Sequence, residues 1–412
     1  MAKSRQVQVC IAGGGPAGLM LGLLLARVGV KVLVLEKHAD FLRDFRGDTI
    51  HPSTLEVMHE LGLLDGLLKL PHQKVPRLMA QFGDERVPLA DFSGVATRCP
   101  FIAMMPQWDF LNFLASHARR YPGFELMMQA EALDLITESG QVIGVSATTP
   151  DGPLDIRCAL VVGADGRSSH LRAKSGLKVE DLGAPMDALW FRLPRKQSDT
   201  DETQGRFDQG RIFVMLNRGD YWQCAFVIAK GTFEKMKAAG IGDFRAKLGK
   251  LLPFDAARAS DVASMDDLKL LTVQVNRLTT WHKAGLLFIG DAAHAMSPVG
   301  GVGINLAVQD AVAAANILAK PLLENSVDDG DLAAVQRRRL FPTRATQAMQ
   351  VLIQNRVIAP ALAGKANAGP LRPPFVFRLL QRFPYLRRYP ARLMGLGVRP
   401  EHVAPFIREG RG

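Results

Sequence analysis

The sequence predicts an α/β fold in which a parallel sheet wrapped in helices is interrupted by an antiparallel sheet, and three observations carry this. VQVCIAG (Val7 to Gly13) is a short apolar run halted by glycines, PAGLMLGLLLARVG has helical apolar spacing, and KVLVLEK is a second apolar run. Strand, helix, strand in that order is a right-handed parallel unit. Between about Val179 and Trp281 the chain changes to long alternating stretches, DALWFRLPRK, GRIFVMLNRGDYWQCAFVIAKG and LKLLTVQVNRLTTW, with one helical insert near FEKMKAAG. Alternation marks antiparallel strands with two different faces, whereas LLFIGD after Ala284 returns to the continuous apolar type of a parallel strand. The antiparallel part is therefore an insertion.

The remaining elements follow in order. HPSTLEVMHELGLLDGLL reads as a helix opening at Pro52 and Ser53, and MPQWDFLNFLASHARRYPG as another that Pro122 and Gly123 close. ELMMQAEALDLITESGQVIGVSATTPDGPLDIRCALVVGADG alternates strand patterns with turns at SGQ and PDG. From Gly301 onward the chain is mostly helical. The boundaries expected are 1–178 for the first part of a dinucleotide domain, 179–281 for the inserted sheet, 282–325 for the returning part and 326–412 for a C-terminal helical region.

With 412 residues, 48% hydrophobic and 22% charged, the chain can bury a full core. No uninterrupted apolar run approaches the roughly 20 residues of a bilayer span, and the start is a short polar lead. Cys10, Cys99, Cys158 and Cys224 form no C-x-x-C pair, which argues against zinc, iron–sulfur or disulfides and for a reducing cytoplasm. The net charge of +11 is uneven: basic residues crowd the chain from Arg337 onward while acids nearly vanish. A tail such as FVFRLLQRFPYLRRYPARLM suits either a helical cover with its arginines in water or weak contact with an anionic membrane surface. No nucleic-acid motif is present, so the expected partners are a small molecule and, for a homodimer, a second copy.

Gly13, Gly15 and Gly18 have the Gly-x-Gly-x-x-Gly spacing. Such glycines give a tight turn, close approach of backbone to a pyrophosphate and close helix-on-strand packing, here with Ala17 between the last two. The helix start beyond them offers free amides and a positive dipole end. Glu36, followed by Lys37, ends the second strand where a carboxylate accepts ribose hydroxyls. That segment alone leaves NAD and FAD open. Two later motifs favour FAD: Asp165 and Gly166 just past one apolar strand, and Gly290 and Asp291 past another, the latter leading to a second glycine-rich helix start. A nicotinamide needs one phosphate-binding end, while FAD also needs its ribityl chain and flavin edge held. Asp291 can accept a ribityl hydroxyl, and the amides of Gly303, Ile304 and Asn305 can donate to the flavin O2 region.

On these motifs the chain resembles the class A, single-component flavoprotein aromatic hydroxylases, the para-hydroxybenzoate hydroxylase fold, over most of residues 6–320. The resemblance implies a Rossmann-like FAD-binding domain of the GR2 type, an inserted substrate domain and C-terminal helices. It implies a bound FAD, reduction by NADPH or NADH, and O2 activated as a flavin C4a-hydroperoxide that hydroxylates an aromatic or polycyclic phenol, quinone or polyketide-like compound. It also implies that Asp165 is shared between FAD and nicotinamide, that Arg46 and Gln107 contact FAD, and that Gly301 and Pro298 lie beside the flavin. Pro298 then faces the substrate. His51 and His294 are the histidines the likeness sets near flavin, and His51 is the candidate base or relay. Met215, Tyr221 and Gln223 are the candidate pocket walls, from alternation alone, since the family's benzoate-gripping Ser, Arg and Tyr set is not matched.

Ser168 and Ser169 lack a nucleophile-elbow pattern, so no triad is expected. Rival readings are a flavin dehydrogenase or reductase without oxygen insertion, a protein with structural FAD only, and a membrane-docked quinone-precursor hydroxylase. A halogenase would carry Trp-x-Trp-x-x-Pro, and Trp108 stands alone in PQWDF.

Overall fold

The computed structural model describes residues 3–42, 48–200, 202–208, 210–364 and 372–410. At its centre the strand Lys3–Ala12 pairs in parallel with Val32–Glu36 on one side and Gly152–Gly163 on the other. Phe124–Met128 extends one edge and Leu286–Phe288 the other, both in parallel. The buried strands Val32–Glu36 and Leu286–Phe288 are the continuous apolar runs that a sheet covered on both faces requires. The strands Glu131–Glu138 and Gln141–Thr149 join through antiparallel pairs, turning at Ser139 and Gly140, both at positive φ.

The chain leaves this sheet twice for a second, seven-stranded one. Met186–Pro194, Arg211–Asn217 and Tyr221–Ala229 form its antiparallel centre, with Gln204–Asp208 and Lys269–Leu271 beside them. Its other end is the hairpin Arg77–Phe82 and Glu85–Asp91, which pairs through Arg77–Phe82 in parallel with Gln204–Asp208. This hairpin lies within the segment the sequence assigned whole to the dinucleotide part. Pro88 breaks its alternation, and the pairing is between residues more than a hundred positions apart, so no local pattern announces it.

The two faces of the central strands differ. Phe191, Phe213, Met215, Cys224 and Phe226 pack into one apolar core with Phe244 and Leu248 of the helix Phe233–Gly249. Arg192, Leu216 and Gln223, which lie opposite one another across the strands, take the other face.

Two long helices close the structure. Gly303–Glu324 is buried against Pro16–Arg27, and Asp329–Ile353 lies against Gly303–Glu324. The segment Val299–Glu324 is long and apolar enough to cross a bilayer, yet 83% of its apolar window is buried inside the protein, so it serves as a core helix.

Candidate active site

The first glycine motif is built by steric demand. Gly13 sits at φ +110°, donates its N–H to the Leu35 carbonyl at 2.8 Å, and a Cβ there would stand 2.3 Å from the Ala164 carbonyl oxygen. At Gly18 a Cβ would meet the Gly13 oxygen at 2.0 Å. Only glycine lets turn and helix close up this tightly. Gly15, by contrast, caps the helix Pro16–Arg27 with nothing within 4 Å of a Cβ position, so its space is open to a ligand. Glu36 ends its strand buried and accepts from the Gly14 amide at 3.1 Å and the His38 amide at 3.0 Å. Lys37 turns away, its Nζ 3.7 Å from Glu131.

Gly290 joins the three motifs. It adopts φ +59°, and a Cβ on it would touch the Cβ atoms of Ala17 at 3.2 Å and Ala307 at 3.3 Å. Ala17 is thus buried packing between the two glycine-capped helices, which converge on the Gly-Asp turn. Arg167, just past Asp165 and Gly166, bridges to Asp291 at 3.1 Å, and Arg172 donates to the Ala292 carbonyl at 3.1 Å. Ser169 caps the helix His170–Ser175 by accepting from the Arg172 amide. Burial pushes the Asp165 carboxyl up against the hydrogen bonds and the Arg172 charge that pull it down, and its Oδ1 is buried without a partner. An orphaned acceptor there fits a hydroxyl donor of a bound nucleotide.

The second helix start is held by buried polar groups. The first helical bond of Gly303–Glu324 runs from Leu306 to Val302 at 3.0 Å, leaving the amides of Gly303, Ile304 and Asn305 ahead of the ladder. A Cβ on Gly303 would meet nothing within 4 Å. The Ile304 side chain is core, and the Asn305 side chain is spent on protein, accepting from the His51 amide at 2.9 Å and the Thr54 hydroxyl at 2.7 Å. Gly301 turns at φ +63° against Thr49, whose hydroxyl donates to its carbonyl at 2.7 Å, and Pro298 opens that turn half-buried.

Behind this turn runs a buried ionic chain that the sequence does not advertise. Asp310 accepts from the Gly290 amide at 3.0 Å, meets His294 Nε2 at 2.5 Å and pairs with Arg339 at 2.9 Å, and Arg339 reaches Glu401 at 3.1 Å. Burial raises the Asp310 carboxyl, but His294 and Arg339 more than reverse this and hold it below its ordinary value. His294 is thereby part of the scaffold, with its ring on Trp281.

His51 is fully buried. Its Nδ1 donates to the Met394 carbonyl at 2.9 Å, which leaves Nε2 unprotonated and without a partner in hydrogen-bonding geometry. Burial lowers it to about 4 against the opposing pull of the Met394 and Gly301 carbonyls, so it is neutral at physiological pH.

A third cluster lies between the antiparallel sheet and the loops that lead into Thr49 and Gln107. Asp48 accepts from the Gln107 amide at 3.1 Å and from Arg218 at 2.7 Å, and Arg218 Nε donates to Gln223 at 2.8 Å. Burial pushes Asp48 up despite Arg218 beside it, while Arg218 keeps Nη1 buried without a partner. Tyr221 stands on the same sheet face as Gln223, its ring 4.7 Å from the Arg192 guanidinium. Met215 is on the opposite face, sealed in the core beneath Phe233–Gly249, and so is set apart from Tyr221 and Gln223. Asp48 and Arg218 were missed by sequence reasoning; an Arg beside a turn in NRGDYWQ was the available signal. Arg46 lies outside the described residues. Among the described residues no His, Cys, Asp and Glu cluster could hold a metal, and all four cysteines are buried and free.

The open helix starts at Gly15 and Gly303 and the unpartnered Oδ1 of Asp165 are chemically suited to the anionic and hydroxyl groups of FAD. The chain matches the FAD binding domain family over residues 6–349. It is 28% identical over 392 residues, 93% of each chain, to 6-methylpretetramide 4-monooxygenase of Streptomyces rimosus. It is 29% identical to 12-dehydrotetracycline 5-monooxygenase/anhydrotetracycline 6-monooxygenase of Streptomyces rimosus subsp. rimosus over 313 residues, 74% of this chain but 61% of that longer one. A solved flavin-dependent brominase superposes with a TM-score of 0.77 at 17% identity, covering 96% of this chain and 94% of that one, which is a likeness of fold. The chain belongs to the FAD binding domain family and is an FAD-dependent monooxygenase of the class A aromatic hydroxylase type.

Proposed function

We propose that the enzyme hydroxylates an aromatic or polycyclic compound of phenol, quinone or polyketide type, using NADPH or NADH and O2. The observation that supports this most is the polar cluster in which Arg218, Tyr221 and Gln223 of the inserted sheet and its turn meet Asp48 on the loop before Thr49. FAD, when bound, carries electrons from the nicotinamide to O2 and delivers one oxygen atom to substrate. Gly13 to Gly18 and Glu36 hold its adenosine end; Asp165, Asp291 and the amides of Gly303 to Asn305 hold the ribityl chain and ring. Gln107 and Arg46 are assigned to the same cofactor.

The chain's own work is to bind, orient and exclude water. Arg218 Nη1 is a ready donor for an oxygen of an acidic phenol or enol, and Tyr221 and Gln223 border the ring. Pro298 stands at the substrate side. His51, neutral and tied to Met394, offers only an acceptor at Nε2 and holds the loop in place. Met215, in the opposite core, is best given a packing role.

Relatives named for 6-methylpretetramide, 12-dehydrotetracycline and anhydrotetracycline favour a polycyclic substrate. A lipophilic quinone precursor is a second reading, favoured by the arginine-rich surface of residues 372–399. The four buried thiols fit a cytoplasmic enzyme, active as monomer or homodimer. Screening phenols and polycyclic quinones for stimulated NAD(P)H oxidation under labelled O2 tests the proposal. One labelled atom in the product is expected; turnover with no label would make the enzyme a reductase.

A further inference from the structure

Two short helices, Phe375–Arg382 and Arg388–Gly395, cover the hairpin Arg77–Asp91, the second also packing on the turn Phe92–Gly94. Their inner faces are ordinary core. Phe377 lies 5.5 Å ring to ring from Phe82, Leu380 is buried, and Ala391 packs with Phe92 and Met104. Met394 accepts from His51, and its Cε stands 3.7 Å from a Cβ position on Gly300, so the second helix is seated against His51 and the turn before Gly303.

The outer faces and the turn that joins the helices are different. Phe375 is 70% exposed and Tyr385 62%, with Val376, Phe383 and Tyr389 exposed beside them. Residues 372–399 contain seven arginines and no Asp, Glu or Lys, and Arg378, Arg382, Arg388 and Arg392 are exposed. Single exposed apolar residues need no explanation, but aromatic side chains clustered among unpaired-sign charges do.

We infer that this surface docks on an anionic lipid bilayer, with the two helices in the headgroup layer, Phe375, Val376, Tyr385 and Tyr389 inserted and the arginines on lipid phosphates. Charge separates the possible occupants. A second copy would set arginines against arginines with no acid on the patch to pair them. An acidic protein answers the charge but gives the aromatics no lipid to enter. Tyrosine rings beside long cationic side chains are what the headgroup layer selects. The inference does not depend on which substrate the enzyme takes.

The test is co-sedimentation of the FAD-loaded protein with vesicles of phosphatidylcholine alone and vesicles rich in phosphatidylglycerol. Only the anionic vesicles are expected to carry it down, and less so as salt is added. Replacing Arg378, Arg388 and Arg392 by Gln should weaken partitioning about a hundredfold. Phe375→Ser with Tyr389→Ser should weaken it as well, and both variants should keep their flavin absorbance and basal NAD(P)H oxidation. No pelleting with anionic vesicles, or pelleting unchanged in the arginine variant, overturns the inference. Two other outcomes also overturn it: equal binding to soluble polyglutamate that ignores the aromatic variant marks an acidic protein site, and a sedimentation-velocity dimer abolished by either variant marks a second copy.

Discussion

The helix starts at Gly15 and Gly303 present the same thing to a ligand, open space and free amides, but they are built in opposite ways. The first is made by backbone shape: Gly13 and Gly18 approach so closely that no side chain fits, and Glu36 accepts from the Gly14 amide. The second is made by side chains, with Asn305 stitching it to His51 and Thr54 in front and Asp310, His294 and Arg339 bracing the Gly-Asp turn behind. A site of the first kind fails when an atom is added, and one of the second kind fails when an atom is taken away.

The largest effect is therefore expected from Arg339→Ala, which leaves buried Asp310 with His294 alone and strips buried Glu401 of one of its two arginines, Arg338 remaining. It should cost about 3–5 kcal/mol in urea unfolding of the apoprotein. An unaltered unfolding midpoint would remove the ionic chain from the second site's support.

Gly18→Ala attacks the other construction. Its Cβ must displace the Gly13 carbonyl, at a cost of about 3 kcal/mol, and FAD should no longer copurify. Retention of the yellow flavin spectrum would show that the first turn tolerates what its geometry forbids.

That asymmetry also explains what the sequence revealed. Gly13, Gly15, Gly18 and Glu36 are local in sequence because backbone sterics are local, and the parallel strands were legible because burial on both faces makes them apolar throughout. Asp310, Arg339 and Glu401 come from three separate segments, and nothing in their neighbours signals that they meet. The same holds for Asp48 and Arg218, and for the hairpin Arg77–Asp91, whose Pro88 hides its period. Alternation placed Tyr221 and Gln223 on one face, but Met215 falls on the other because the strand partner that fixes the register, Cys224, lies inward.

A smaller effect concerns the join between the sites. His51 titrates at about 4 when folded and near 6.5 when unfolded. Between those values the unfolded chain holds the proton and the folded one does not. Its contribution to stability is therefore complete above pH 6.5 and declines as the pH falls toward 4. From pH 7 to pH 5 it should account for about 2 kcal/mol. His51→Asn, with an amide able to donate to the Met394 carbonyl, should flatten that part of the unfolding profile; an identical pH profile in the variant would mean that His51 is not buried neutral.

The most direct test uses the open space itself. Gly15→Val and Gly303→Val each add a side chain where no atom lies within 4 Å of the Cβ, so each apoprotein should stay folded, at a cost of no more than about 1 kcal/mol at the helix start. Each should nonetheless bind FAD about ten- to a hundredfold more weakly by titration, the loss expected for displaced charge-assisted hydrogen bonds. Wild-type FAD affinity in either variant would contradict a cofactor held at both helix starts.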